Sequence, residues 1–345
     1  MTRTLAVRLD SLGDVLVTGP AIRALANVSE HLGLLCGPRG REAGELLPGV
    51  DELHTFHAGW IDPRPRPVHP AEIEQLVEAV AAGRWDRAVV FTSFHQSPLP
   101  TALLLRMAGV PWIGAISEDY PGSLLDLRHR CLDDQPETER ALGLARSSGG
   151  RLPLGDAGRL AVRADVLAPG AGPVPDAGYV VLHPGTSAPA RAWPAARFRE
   201  ACHLLTGLGR RVVVTGSPQE RALTGRVAGD EGEDWGGTSF AGLARVLAGA
   251  DVVVVGNTGP AHLAAAVGTP VVSLFAPTVP AVRWAPHGVA TTLLGDAAAP
   301  CRGSRATVCP VPGHPCLTSV SAADVVAAVD ALAPAPPVHA TSRRT

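Results

Sequence analysis

The chain of 345 residues is expected to fold as an α/β protein in two similar halves, with mostly parallel sheets and a cleft between the halves. Three observations point there. Short runs rich in Val, Leu and Ile alternate with helix-period segments and Gly/Pro punctuation along the whole chain. The length suits two domains of about 150 residues each. The alternation lapses once, across the Gly-, Pro-, Ala- and Asp-rich stretch 149–178, and then restarts, as it does at a linker. The expected domains are 1–165 and 176–333. The tail 334–345 (PAPPVHATSRRT) has no core-forming pattern and is expected to be disordered.

Residues 4–9 (TLAVRL) read as the first strand. The loop Asp10–Gly13 follows, then one helix running to about Ala26. Strands 86–91 and 110–115 flank a helical stretch at 99–108. Residues 136–148 show a helical pattern with no strand on either side. In the second half, strand 178–183 meets a glycine turn, and Trp193-Pro194 opens a helix over 195–207. Strand 210–215, helices 218–228 and 240–249, strand 251–255, helix 260–267, strand 270–275 and a last helix at 321–333 complete the order.

Composition narrows the chemistry. The chain is 46% hydrophobic and 18% charged, an ordinary globular balance. Its net charge of −2 gives no bulk attraction to nucleic acid or to an anionic membrane. All 30 basic residues are Arg; there is no Lys. A Walker-type P-loop, a pyridoxal Schiff base, a lysine-type aldolase and a Ser–Lys pair are therefore excluded. The N-terminus carries Arg8, Asp10 and Asp14 inside its apolar stretch, unlike a signal peptide, and no run approaches membrane-spanning length. A cytoplasmic protein is expected.

Six Cys do not make a disulfide scaffold. Cys36, Cys131 and Cys202 sit in apolar stretches and read as core residues. Cys301, Cys309 and Cys316, with His314, lack the CxxC spacing of structural zinc, so a loop of reduced thiols is expected and no metal.

Four turns could carry chemistry, each just past a strand or at a helix start. Ser11-Leu12-Gly13-Asp14 places a carboxylate where a helix begins; Asp14 either caps that helix or serves as a base. His183-Pro184-Gly185-Thr186-Ser187 offers backbone N–H groups and hydroxyls to a phosphate. Arg191 follows on the same loop, either solvated or paired with diphosphate oxygens. Gly256-Asn257-Thr258-Gly259-Pro260-Ala261-His262 aims a helix N-terminus at the cleft, with Thr258 as a cap and His262 one turn in. Glu220 ends a capping box that starts at Ser217, or accepts bonds from ribose hydroxyls. His95, Gln96 and Ser97, with Ser117, Glu118 and Asp119, end strands of the first half and are candidates for contacts to a second substrate.

These segments resemble glycosyltransferase family 9, the ADP-heptose heptosyltransferases, from about Thr4 to Val329. VRLDSLGDVLVTGPAIRAL is similar to the family's opening, LHPGTSAPARAWP to its loop before a Trp-Pro helix, and GNTGPAHLAAAVGTPVVSLF to its most characteristic stretch. The resemblance implies a GT-B fold of two Rossmann-like domains, the first for the acceptor and the second for a nucleotide-sugar donor. It implies Asp14 as catalytic base and Arg191 in place of the family's Lys. It implies donor contacts from Gly185, Thr186, Ser187, Glu220, Asn257, Thr258, Gly259 and His262. Ser11, Gly13, His95 and Gln96 are the expected acceptor-side residues. One departure is visible: the family's aspartate before Thr-Gly is Asn257 here.

The expected reaction is inverting, metal-independent transfer of a heptose from ADP-heptose to an acceptor hydroxyl, with no cofactor beyond that donor. The acceptor, a lipopolysaccharide core, another surface glycan or a small natural product, is left open, as are peripheral membrane association and oligomeric state. A nucleotide-sugar epimerase or hydrolase, or a non-catalytic nucleotide-sugar-binding protein, would use the same turns.

Overall fold

The computed structural model describes residues 2–63, 65–131, 133–176 and 178–333; the expected tail lies outside the described residues. The chain divides into two compact units. The first runs to Ala171 and takes in residues 265–268 and 282–288; the second holds Gly172–Ala264, Thr269–Ala281 and the chain from Val289 onward.

Each unit is built on one six-stranded sheet, all pairs parallel. In the first these are β1 (Arg3–Arg8), β2 (His31–Cys36), β3 (Glu52–Thr55), β4 (Arg87–Val90), β5 (Trp112–Ile116) and β6 (Leu127–His129), in the order β3-β2-β1-β4-β5-β6. The second has β7 (Val180–His183), β8 (Val212–Gly216), β9 (Glu233–Gly236), β10 (Val252–Gly256), β11 (Val271–Leu274) and β12 (Thr291–Leu294), in the order β12-β11-β10-β7-β8-β9. Counted from its own first strand, each sheet has the 3-2-1-4-5-6 order of the Rossmann fold. The chain is thus a pair of Rossmann-like domains of the GT-B type.

The central strands explain the apolar runs. β7, β8 and β10 are buried along their full length, as strands covered on both faces must be. Direction reverses between β1 and β4, and again between β7 and β10. Such switch points leave a crevice at the carboxyl ends of the two strands, where ligands bind in open α/β sheets. All four candidate turns leave strands at or next to these points.

The Trp193-Pro194 pair has a packing reason. Trp193 is buried edge-on against Phe198 at 4.8 Å between ring centroids, and its Nε1 donates to Val320 O at 3.2 Å. This pins the end of the loop after β7 before helix Ala195–Gly207 begins.

Several expectations need correction. The first helix is two, Leu12–Val17 and Gly19–Ala26, because Pro20 has no N–H to continue the ladder. The Thr18 hydroxyl at the break donates to Asp14 O at 2.8 Å. Helix Glu137–Ser147 does have a strand before it, the three-residue β6. The predicted helix 218–228 starts as a 3-10 turn, Pro218–Glu220, before Arg221–Ala228. Five further strands, β2, β3, β6, β9 and β12, escape the sequence pattern. Four of these sit at or near a sheet edge and are short and mixed in polarity. Cys36 and Cys202 are core residues, but Cys131 is only half-buried, in the loop after β6.

Candidate functional site

In the first unit the site is a buried ionic network at the carboxyl ends of β1 and β4. Asp14 Oδ2 accepts from the Ser11 backbone N–H at 3.1 Å and from the Ser11 hydroxyl at 2.5 Å. This is the capping arrangement expected from position alone. Oδ1 faces the other way. It accepts from Arg8 Nη2 at 3.2 Å and from the Ser93 hydroxyl at 3.4 Å.

Arg8, the last residue of β1, is 1% exposed, and its Nη2 also donates to Ser93 Oγ at 2.9 Å. Its Nε lies 2.9 Å from Asp10 Oδ2. Asp10 in turn accepts from Gln96 Nε2 at 2.5 Å, and Gln96 Oε1 accepts from the Ser93 N–H at 2.9 Å. Burial alone would lower Arg8, but the charges of Asp10, Asp14 and Glu137 raise it, so the guanidinium stays protonated. Burial pushes Asp10 up to about 6, against the pull of Arg8. Behind them Glu137, 1% exposed, pairs with Arg140 at 3.2 Å, and Arg140 donates to Thr92 O at 2.5 Å. Burial holds Glu137 above the usual carboxylate range. Removing one partner from a buried pair of this kind costs about 3–5 kcal/mol.

In the second unit three loops leave the adjacent strands β10, β7 and β8. The loop after β7 passes through Gly185, where an added Cβ would lie 2.3 Å from Glu220 Oε1. A side chain there would displace the Glu220 carboxyl, which rests on the Gly185 backbone. Glu220 Oε2 accepts from both the N–H and the hydroxyl of Ser217 at 2.8 Å, so the capping box exists. His183 at the end of β7 is buried, with Nδ1 2.9 Å from Thr215 Oγ1. Burial pushes this imidazole down to about 4, with Glu220 pulling the other way.

Thr186 closes a local turn, its hydroxyl accepting from the Ala188 N–H at 3.2 Å, and Ser187 is exposed beside it. The loop then tightens into the 3-10 turn Pro189–Arg191. Arg191 Nη1 donates to Asn257 O at 3.2 Å, joining this loop to the one after β10. Gly256 permits the approach, since an added Cβ would lie 3.0 Å from Arg191 O. Gly259 opens helix Gly259–Ala266, Thr258 immediately precedes it, and His262 is buried on its first turn.

Asn257 has a structural task that an aspartate could not fully share. Its Nδ2 donates to Ala276 O and its Oδ1 accepts from Ala276 N–H, both at 3.2 Å. A carboxylate has no donor for the first of these bonds. The amide thus ties the loop after β10 to the end of β11.

Of the acceptor-side candidates, Ser11 and Gln96 belong to the network around Asp14 and Asp10, and Gly13 is buried in the helix that Asp14 starts. His95 is exposed, with its ring edge-on to Phe94. Ser97 Oγ donates to Asp119 Oδ2 at 3.4 Å, so the loops after β4 and β5 meet. Arg8, Asp10, Ser93, Glu137 and His183 carry the electrostatics and were not singled out from the sequence. All six cysteines are free thiols; Cys301 and Cys316 are core residues. Among the described residues no group of three or more His, Cys, Asp or Glu is placed to hold a metal ion.

Comparison with known proteins matches residues 73–313 to the model of glycosyltransferase family 9 (heptosyltransferase). Lipopolysaccharide heptosyltransferase 1 of Escherichia coli is 30% identical over 298 residues, covering 81% of this chain and 89% of that protein. Its Salmonella typhimurium counterpart is 29% identical over 296 residues, covering 81% and 89%. Among solved structures, a family 9 glycosyltransferase from Veillonella parvula aligns with TM-score 0.76 at 18% identity, covering 96% of this chain and 97% of that one. An Escherichia coli heptosyltransferase solved with ADP-2-deoxy-2-fluoro heptose aligns with TM-score 0.73 at 23% identity, covering 96% and 99%.

Proposed function

Because the chain belongs to glycosyltransferase family 9, we propose that it moves a heptose from ADP-heptose to a hydroxyl of a lipopolysaccharide-type acceptor, with inversion and without a metal ion. The relatives named lipopolysaccharide heptosyltransferase 1 support the sugar and the acceptor class. The observation that carries the chemistry is the pairing of functions at the two switch points: a fixed carboxylate in the first unit, and a glycine turn, an arginine and a helix N-terminus in the second.

The acceptor oxygen bonds to the anomeric carbon as the bond from that carbon to the diphosphate breaks. The hydroxyl proton passes to Asp14, and the electron pair leaves with the diphosphate. Oδ1 is the receiving oxygen, since Oδ2 is taken up by the N–H and hydroxyl of Ser11 in the helix cap. Arg191, the Gly185–Ser187 turn and the start of helix Gly259–Ala266 stabilise the departing charge. Glu220 accepts from ribose hydroxyls, and His262 lines the donor side. Asn257 serves by holding Ala276 rather than by placing a charge against the sugar. His95, beside Gln96, is the acceptor-side contact.

The test is transfer from ADP-heptose to heptose-free core acceptor, followed by mass spectrometry. Asp14→Asn lowers the rate by about 10²–10⁴ while ADP affinity is kept. Arg191→Ala weakens ADP binding and slows turnover together. Undiminished turnover in Asp14→Asn leaves that residue as a helix cap and removes the mechanism. No helix among the described residues is long and apolar enough to cross a membrane. A cytoplasmic enzyme that meets a lipid-linked acceptor by peripheral contact fits this reading.

A further inference from the structure

We propose that Arg8 is a positioning residue for the transfer reaction: paired with Asp10, it fixes the orientation of the Asp14 carboxylate. The proposal rests on the reading of Asp14 as the base.

The geometry is specific. One guanidinium nitrogen, Nη2, donates to both Asp14 Oδ1 and Ser93 Oγ, and the neighbouring Nε lies 2.9 Å from Asp10 Oδ2. The planar fork thereby serves two carboxylates and a hydroxyl from adjacent nitrogens, which an ammonium could not reproduce. Asp10 is itself held by Gln96, whose amide is oriented by the Ser93 N–H. Ser93 thus closes a ring of contacts running Arg8, Asp10, Gln96, Ser93 and back to Arg8. Asp14 stands on that ring at Oδ1, the oxygen assigned to receive the proton. A base whose lone-pair direction is set by a buried fork is oriented before substrate arrives.

Each charged group around Asp14 has a sign. Arg8 on β1 favours its ionised form. Asp10 in the following loop and Glu137 on helix Glu137–Ser147 oppose it, and Arg140 offsets Glu137. Arg283, from the segment 282–288 of the same unit, also acts on Glu137. Of these, Arg8 donates directly to Asp14.

The experiment is a pH titration of the intact protein labelled with ¹³C at Asp carboxyls, the Asp14 signal identified by its loss in Asp14→Asn. Transfer rates are measured in parallel. Arg8→Met raises the Asp14 midpoint by about one pH unit or more, because an adjacent cation is lost. Asp10→Asn leaves the Asp14 midpoint nearly in place, since Asp10, raised to about 6, is already neutral where Asp14 titrates, while transfer falls because Arg8 loses its paired carboxylate. Arg8→Lys keeps the midpoint within a few tenths of a unit while transfer falls about tenfold, since charge is retained and the fork is not. Should Arg8→Met fail to fold, the loss of transfer in Asp10→Asn and the split in Arg8→Lys carry the test. An Asp14 midpoint unmoved by Arg8→Met, or full transfer activity in Arg8→Lys, overturns the proposal. Predicted shifts combined with full transfer activity in Asp14→Asn would overturn the base reading instead, leaving only the hold of Arg8 over that carboxylate.

Discussion

His183 closes β7 with its imidazole enclosed and turned to Thr215. Its folded-state value is pushed down to about 4 from an ordinary 6.5, so the unfolded chain takes up a proton first on acidification. The sign follows: stability falls as pH drops from about 6.5 toward about 4, and is untouched above that window. Asp10, raised to about 6, works in the opposite sense, since its protonated form is favoured in the fold between about 4 and 6. His183→Asn keeps a partner for Thr215 and removes the titration. Urea unfolding at pH 6.5 and at about pH 5 should show about 2 kcal/mol less loss in the variant than in the parent. An equal loss would show that the imidazole is protonated in the fold. At this scale the sequence was partly readable. Asp14, Gly185 and Glu220 stand in turns whose residue types announce a task. Arg8 did not, because an arginine in a strand reads as solvated until its partner is known. Ser93, 85 positions away, is beyond any local pattern.

The loops after β10, β7 and β8 come together because their strands are neighbours, and two contacts lock them: Glu220 over Gly185, and Arg191 on Asn257. Gly185→Ala forces a methyl into the Glu220 carboxyl at 2.3 Å. The carboxyl must leave its seat at Ser217, which unsatisfies the cap at about 1 kcal/mol. ADP affinity should fall about tenfold by calorimetry while the overall fold is kept. Unchanged affinity would separate Glu220 from the donor. Helix Ala195–Gly207 was legible to the residue, since Trp193-Pro194 marks its start and Gly209 its end. The edge strands were not. ELHT, LRH and EDWG are too short for a period of two to emerge, and the sheet, not their own pattern, makes them strands.

Two sheets of the same strand order share one chain, and their switch points hold different side chains, a buried arginine–carboxylate network in the first unit and glycine turns, Arg191 and a helix start in the second. ADP should therefore act on one unit. Hydrogen exchange with and without ADP should show protection over 183–191, 216–220 and 256–262, and none over 8–14. Protection centred on 8–14 would reverse the assignment of the two sheets. The two-half organisation was visible as an alternation that lapses and restarts. The membership of residues 265–268 and 282–288 in the first unit was not, since it depends on contacts spanning most of the chain. That membership has a practical edge. Arg283 pairs with Asp134 and covers the Phe94 ring at 4.0 Å, although more than a hundred residues of the second unit separate them along the backbone. No single scissor cut can then yield two whole halves: a fragment ending at Ala171 keeps Phe94 and Asp134 but forfeits the arginine that covers them. Anyone wishing to exchange the second unit between relatives must graft this strap with the recipient, not with the insert.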